Sequence, residues 1–283
     1  MASSTKRVTI NDIREMKQNG EKIAMLTAYD YTTAKIIDKC SIPIILVGDS
    51  LGNVVLGYEN TLPVTMDMMI HHSKAVVRGT EHAMVVGDMP FMTYHVSIEG
   101  ALKNAARFIQ EAGTQAIKLE GGVNVADKVK RIVECGIPVM GHIGLTPQSV
   151  NQFGGHLVQG KKLEVAQQLI DDAKALEQSG AFCVVLESVP ARLAALITQS
   201  VSIPTIGIGA GPSCDGQVQV ITDILGLSDF VPKHAKQYAR LMDVITQAVT
   251  TYQEEVKGSQ FPTKENSYII DSSVLEQVKA KLS

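Results

Sequence analysis

Acidic side chains recur where short apolar runs end. The run IPIILVG (42–48) delivers Asp49 and Ser50, AMVVG (83–87) delivers Asp88, and QAIKLE (115–120) ends on Lys118 and Glu120. Two further runs, IPVMG (137–141) and FCVVL (182–186), are followed by His142 and Glu187. A carboxylate at the tip of a buried strand either caps the next helix, accepting its free N–H groups, or does chemistry. Taken singly, Asp49, Asp88, Glu120 and Glu187 all admit the capping role. Taken together, Asp49, Asp88 and Glu120 would repel one another in a poorly solvated mouth, and one would stay protonated without compensation. A hard divalent cation such as Mg²⁺ removes that conflict, because it takes oxygen ligands and keeps positions open for water or substrate. Lys118 either pairs simply with Glu120 or brings positive charge to an anionic substrate. Glu187 is either a base that removes a proton from a carbon acid or a cap for a helix starting near Pro190. His142 is either a satisfied core or orienting group or a member of the site.

These groups can cooperate only if the fold gathers the run ends. Eight stretches read as strands: 22–30, 42–50, 83–90, 115–122, 137–144, 182–188, 203–211 and a weak SDFVPKHA at 228–235. They are nearly continuous in Val, Ile and Leu, as parallel strands covered on both faces should be. Helical patterns lie between them. EGALKNAARFIQEAG (99–113), VADKVKRIVECG (125–136) and EVAQQLIDDAKALEQSG (164–180) each stop at a glycine, a usual helix terminator. Three strands open with Ile-Pro, where the ladder does not need an N–H. Eight strand–helix units over this length predict a (β/α)₈ barrel, whose chemistry collects at the C-terminal strand ends. An open doubly wound sheet is the alternative, but TAYDY after the first strand lacks the Gly-rich phosphate turn of that class. Side chains alternate along a strand, so Lys118 and Glu120 point the same way. One barrel domain is expected over residues 1–265, with a helix inside 1–21, followed by a polar tail over 266–283.

Composition narrows the functional classes. The chain has 283 residues, 45% hydrophobic and 19% charged, with a formal net charge of −3. No basic field suggests nucleic acid or an anionic membrane. The apolar runs are far shorter than a bilayer requires, and MASSTKRVTI has no signal-peptide core. The cysteines, Cys40, Cys135, Cys183 and Cys214, are too scattered for a zinc site or disulfide framework and read as buried free thiols in a reducing cytosol. His71-His72 cannot share a helix face, so they read as surface groups. GIGAGPSCDG (207–216) suits either a phosphate cradle or a tight turn, and GHIGLTPQSVNQFGGH (141–156) either a lid or a plain connection.

TAYDY, VGDSLGN, TLPVTMDMM, DMPFMTY, KLEGG, GHIGLTPQSVNQFGG, LESVP and IGIGAGPSCDGQ occur in this order. Together they resemble the ketopantoate hydroxymethyltransferase family from about residue 8 to 265, while the last 18 residues depart from the usual family ending. The resemblance implies a barrel of the phosphoenolpyruvate/pyruvate superfamily type. It implies transfer of a hydroxymethyl group from 5,10-methylenetetrahydrofolate, a co-substrate, to 3-methyl-2-oxobutanoate through a Mg²⁺-stabilised enolate, giving 2-dehydropantoate for pantothenate and coenzyme A synthesis. By resemblance, Asp49, Asp88 and Glu120 hold one Mg²⁺ per subunit. Asp49, Ser50, Asp88 and Lys118 contact the substrate, Glu187 accepts the proton, and Lys118 and His142 stand beside the reaction. The family further implies a cytoplasmic homo-oligomer, a decamer, working on small molecules with no nucleic acid or membrane partner. Two other classes compete: a lyase or phosphonomutase acting on 2-oxo acids, which needs no folate, and a barrel kept as a binding scaffold. The catalytic cysteine loop of the lyases is absent here, and no strand-tip acid is missing, as a scaffold would allow.

Overall fold

The computed structural model describes residues 6–155, 157–228 and 230–282. Eight parallel strands close into a barrel in sequence order. They are β1 (Ile23–Thr27), β2 (Ile44–Val47), β3 (Met84–Asp88), β4 (Ala116–Glu120), β5 (Val139–Gly144), β6 (Cys183–Glu187), β7 (Thr205–Ile208) and β8 (Gly216–Gln219). Most strand residues are buried on both faces, which explains the unbroken apolar runs. Alternation divides them into two cores. Ile44, Met84, Val86, Ala116, Met140 and Val185 fill the barrel interior, whereas Ile45, Val85, Ile117, Leu119 and Val184 face the helices.

The helices start where the sequence provides caps. Asp30 caps α2 (Tyr31–Lys39), Thr65 caps α4 (Met66–Arg78) and Ser97 caps α5 (Ile98–Arg107), each accepting a backbone N–H of the first turn. The short α3 (Leu51–Val54) lies between the first two, after β2. The expected N-terminal helix is α1 (Ile10–Gln18); it buries Ile13 in the interior cluster and closes the N-terminal end of the barrel. Outside β4 to β6 lie α6 (Ala126–Glu134), the short α7 (Val150–Phe153), α8 (Leu163–Gln178) and α9 (Ala191–Ser200). The chain ends in α10 (Ile221–Leu225), α11 (Leu241–Lys257) and α12 (Ser272–Leu282).

The eighth strand differs from expectation. It is Gly216–Gln219, paired with both β1 and β7, and it begins at the last residue of the stretch 207–216 read as a phosphate cradle or tight turn. The expected strand at 228–235 is not one; Asp229 lies outside the described residues, and Phe230, Pro232 and His234 hang over the mouth of the barrel. GQVQ is short and half polar, with Gln217 exposed, so it lacks the apolar signal of the other strands. No helix separates β7 from β8, so the seventh unit lacks its helix. The described residues contain no helix long and apolar enough to cross a membrane.

Candidate active site

Interior parity continues past the packed core and places the functional groups. Met84 and Val86 point inward, and so does Asp88; Ala116 is followed by Lys118 and Glu120, Met140 by His142, and Cys183 and Val185 by Glu187. The strand register sets Asp88 beside Lys118 and Glu120 beside His142. Asp49 lies one residue off that parity, in the turn after Gly48, and its backbone N–H donates to Asp88 Oδ2 at 3.1 Å. Gly144 brings β5 close to β6: its φ is +96°, and a Cβ there would strike the carbonyl oxygen of Glu187.

The result is a row of alternating charge across four strands. Lys118 Nζ donates to Asp88 Oδ1 at 2.6 Å and lies 3.8 Å from Glu120 Oε1. His142 lies between two carboxylates, with Nδ1 3.4 Å from Glu120 Oε1 and Nε2 3.2 Å from Glu187 Oε2. These are ion-pair distances without hydrogen-bond alignment, so both ring nitrogens and Glu120 Oε1 stay without a hydrogen-bond partner. Ser50 Oγ is bonded to the buried Tyr29 hydroxyl at 2.8 Å.

Asp49, Asp88, Glu120 and Glu187 do not act as helix caps. Ser50 occupies the N-cap of α3, Ser97 that of α5 and Pro190 that of α9. Asp49 Oδ2 accepts from the Gln148 side chain at 2.9 Å, and Glu120 Oε2 from the Gln148 backbone N–H at 3.0 Å. Asp30, by contrast, is a cap. His72 Nδ1 meets the Tyr29 carbonyl at 2.7 Å rather than joining the site.

Burial sets the protonation states. Desolvation, then the charges of Asp88 and Glu120, push the Asp49 carboxyl well above the usual carboxylate range. Desolvation also raises Asp88, with Lys118 opposing and Glu120 adding to the rise. Glu120 is pulled down despite desolvation, because His142, Lys118 and the Gln148 N–H favour its anion. Desolvation works against a charged Lys118, but Asp88, Glu120 and Asp49 outweigh it and raise its pKa. Burial and Lys118 oppose an imidazolium at His142, yet Glu120 and Glu187 lift it to about 9.

Among the described residues, no three His, Cys, Asp or Glu side chains converge into a finished metal shell. The donor set nevertheless suits a hard cation. Asp49, Asp88 and Glu120 line one cavity, the first two have carboxyls raised by burial and then by neighbouring carboxylates, and Glu120 Oε1 is a buried anionic oxygen without a donor. That cavity measures about 810 Å³ and also holds Ser50, Lys118, His142 and Glu187, so all seven residues expected at the site line it. Sequence reasoning missed Tyr29, Tyr94 and Gln148. Tyr29 and Tyr94 stood inside the quoted motifs TAYDY and DMPFMTY, but no spacing distinguished them.

A family model described as ketopantoate hydroxymethyltransferase matches residues 7–264. The chain belongs to the ketopantoate hydroxymethyltransferase family. It is 66% identical over 274 residues to the 3-methyl-2-oxobutanoate hydroxymethyltransferase of Dehalococcoides mccartyi strain BAV1, covering 96% of this chain and 98% of that one. The enzyme of that name from Syntrophomonas wolfei is 57% identical over 273 residues, covering 96% of this chain and 99% of its own. The protein is thus an enzyme, a one-carbon transferase. A solved 2,3-dimethylmalate lyase, a PEP mutase/isocitrate lyase superfamily member, superposes with a TM-score of 0.57 at 13% identity, covering 97% of this chain and 98% of that one. This likeness places the barrel in the expected fold class.

Proposed function

We propose that the enzyme transfers a hydroxymethyl group from 5,10-methylenetetrahydrofolate to 3-methyl-2-oxobutanoate, giving 2-dehydropantoate for pantothenate and coenzyme A synthesis. One observation carries the chemistry: Glu187 shares a cavity with the Asp49–Asp88–Glu120 cluster but stands apart from it, beyond His142. A carbon acid held at the cluster therefore meets a separate base.

Asp49, Asp88 and Glu120 would hold one divalent cation, Mg²⁺, per chain. Bound there, the cation supplies Lewis-acid polarisation of a 2-oxo acid's ketone and carboxylate oxygens. Lys118 adds a fixed positive charge near the same oxygens and needs no reorganisation during the reaction. Ser50, oriented by Tyr29, offers a hydroxyl to the substrate. Glu187 removes the C3 proton, and His142, whose Nε2 lies 3.2 Å from Glu187 Oε2, orients the carboxylate. The resulting enolate carbon forms a bond to the methylene carbon of the folate, opened as its iminium, and the carbon–nitrogen bond is released. One water is consumed. Its oxygen and one hydrogen complete the hydroxymethyl group; its other hydrogen and the proton from C3 return to the two folate nitrogens. The volume of the cavity supports a second, larger reactant beside a small oxo acid.

The family resemblance supports a homo-oligomer, a decamer, of cytoplasmic location. It also supports a single barrel domain over residues 1–265, with 266–283 as a separate tail. Incubation with 3-methyl-2-oxobutanoate, methylenetetrahydrofolate and Mg²⁺, followed by mass analysis, should give the mass of 2-dehydropantoate. Product formed equally well without folate would favour a lyase-type barrel, and none under any condition would overturn the assignment.

A further inference from the structure

Two of the three clustered carboxylates are held by a residue that belongs to no strand. Gln148 lies in the turn Pro147–Ser149, in the connection that leaves β5, and is only 4% exposed. Its Nε2 donates to Asp49 Oδ2 at 2.9 Å and to the Met89 carbonyl at 3.0 Å. Its backbone N–H donates to Glu120 Oε2 at 3.0 Å. Its Oε1 accepts from the Tyr94 hydroxyl at 2.7 Å, and that hydroxyl accepts from the Glu120 backbone N–H at 3.1 Å.

The direction of these bonds is forced. The Glu120 N–H can only donate, so the Tyr94 hydroxyl hydrogen is free to point at Gln148. The Gln148 amide must then turn its oxygen to Tyr94 and its nitrogen to Asp49 and Met89, all of which have oxygens to offer. Gln148, Tyr94 and Glu120 thus close a ring in which each partner fixes the next. A buried amide satisfied on both its oxygen and its nitrogen cannot turn without breaking bonds that no water replaces. The ring also selects oxygens. Glu120 Oε2 is committed to the loop, which leaves Oε1 beside Lys118 and His142; Asp49 Oδ2 is committed likewise, which leaves Oδ1.

We propose that Gln148 is a positioning residue for the carboxylate cluster: it aligns Asp49 and Glu120 as one unit and makes that alignment depend on the seating of the loop after β5. This rests on the reading of Asp49, Asp88 and Glu120 as cation ligands. The glutamine touches no reacting atom. It acts as the supporting contacts around a metal site act, by holding ligands in the orientation they need before the ion arrives, and loss of such a contact commonly lowers metal affinity about 10- to 100-fold. The loop that would shield the cavity from water therefore also finishes the cation site.

The test is calorimetric titration of Mg²⁺ into the full-length protein with 3-methyl-2-oxobutanoate present, for wild type, Gln148→Leu, Tyr94→Phe and the double variant. Wild-type binding is the control; if wild type binds no Mg²⁺, the ligand reading itself fails, and this proposal with it. With binding established, Gln148→Leu should weaken affinity by about 10- to 100-fold. Tyr94→Phe removes the two hydrogen bonds of that hydroxyl but keeps the glutamine's own bonds to Asp49 and Glu120, and should weaken affinity by about three- to tenfold. The double variant should lose no more than Gln148→Leu alone, because both act through one ring. A merely structural glutamine would lower the unfolding temperature of the cation-free protein and leave the Mg²⁺ affinity of the folded fraction unchanged; that result overturns the proposal. Additive losses in the double variant overturn it too. Should Gln148→Leu fail to fold, Tyr94→Phe decides alone, since it keeps the glutamine: an unchanged affinity counts against the ring and a weakened one supports it.

Discussion

Lys118 holds the charge balance of the site. Its ammonium sits between Asp88 and Glu120 with almost no exposure, and that placement lets carboxylates crowd without all taking up protons. Asp88→Asn removes the charge closest to it and leaves Glu120, 3.8 Å away, as the remaining ion pair. Breaking a buried pair from one side costs roughly 3 kcal/mol, so urea unfolding of the Mg²⁺-free variant should show that loss. Calorimetry should show Mg²⁺ affinity at least about tenfold weaker, and unchanged affinity would remove Asp88 from the ligand set. At this scale most of the site was legible. Asp49, Asp88, Lys118, Glu120, His142 and Glu187 stood at the ends of apolar runs, and a barrel brings such ends together. Gln148 was not legible, because its role arises from contacts with residues 28 to 99 positions away, which no local pattern encodes.

Elements were read well where burial was continuous and poorly where it was not. Polar side chains interrupt β2 to β6 only at Asp88, Lys118, Glu120, His142 and Glu187, and strand parity turns those five inward. β8 was misplaced because its pairing with β1 is long-range: Ile23 lies opposite Gly216, and a glycine is needed there because a Cβ would strike the backbone and side chain of Ile23. Nothing within GQVQ itself signals that requirement. The N-terminal end of the barrel makes a separate prediction. Asp38 in α2 accepts from the backbone N–H groups of Glu81, His82 and Ala83, tying that helix to the start of β3. Although burial opposes its charge, these hydrogen bonds hold its carboxyl below the usual value of 3.8. A depressed folded pKa gives stability that is present above the unfolded value and lost as pH falls through the folded one. Asp38→Ala should therefore cost roughly 3 kcal/mol at pH 7, where buried donors lose their acceptor. In urea unfolding the gap between variant and wild type should narrow below about pH 4. A gap independent of pH would show that the carboxylate charge contributes nothing.

For the whole molecule, the C-terminal region sets the expectation. α11 buries none of its residues, and Met242, Val244, Ile245, Val249, Tyr252 and Val256 are exposed along it. A helix with that much uncovered apolar surface is stabilised by packing against another body, in accord with the proposed homo-oligomer. Light scattering at micromolar concentration should give a multiple of the 30.5 kDa chain mass; a monomer would contradict the association. The account as a whole depends on two poles acting on one substrate, the Lys118-balanced carboxylates on one side and Glu187 on the other. Exchange of the C3 hydrogen of 3-methyl-2-oxobutanoate with deuterated water isolates that step, since it requires no folate and no completed transfer. With Mg²⁺ present, wild type should exchange the proton, and Glu187→Gln, which keeps the shape but not the base, should exchange it about a hundredfold more slowly while still binding the substrate. Exchange at the wild-type rate in Glu187→Gln would show that the proton leaves by another route, and the assignment of base and cation pole to opposite sides of the cavity would fall.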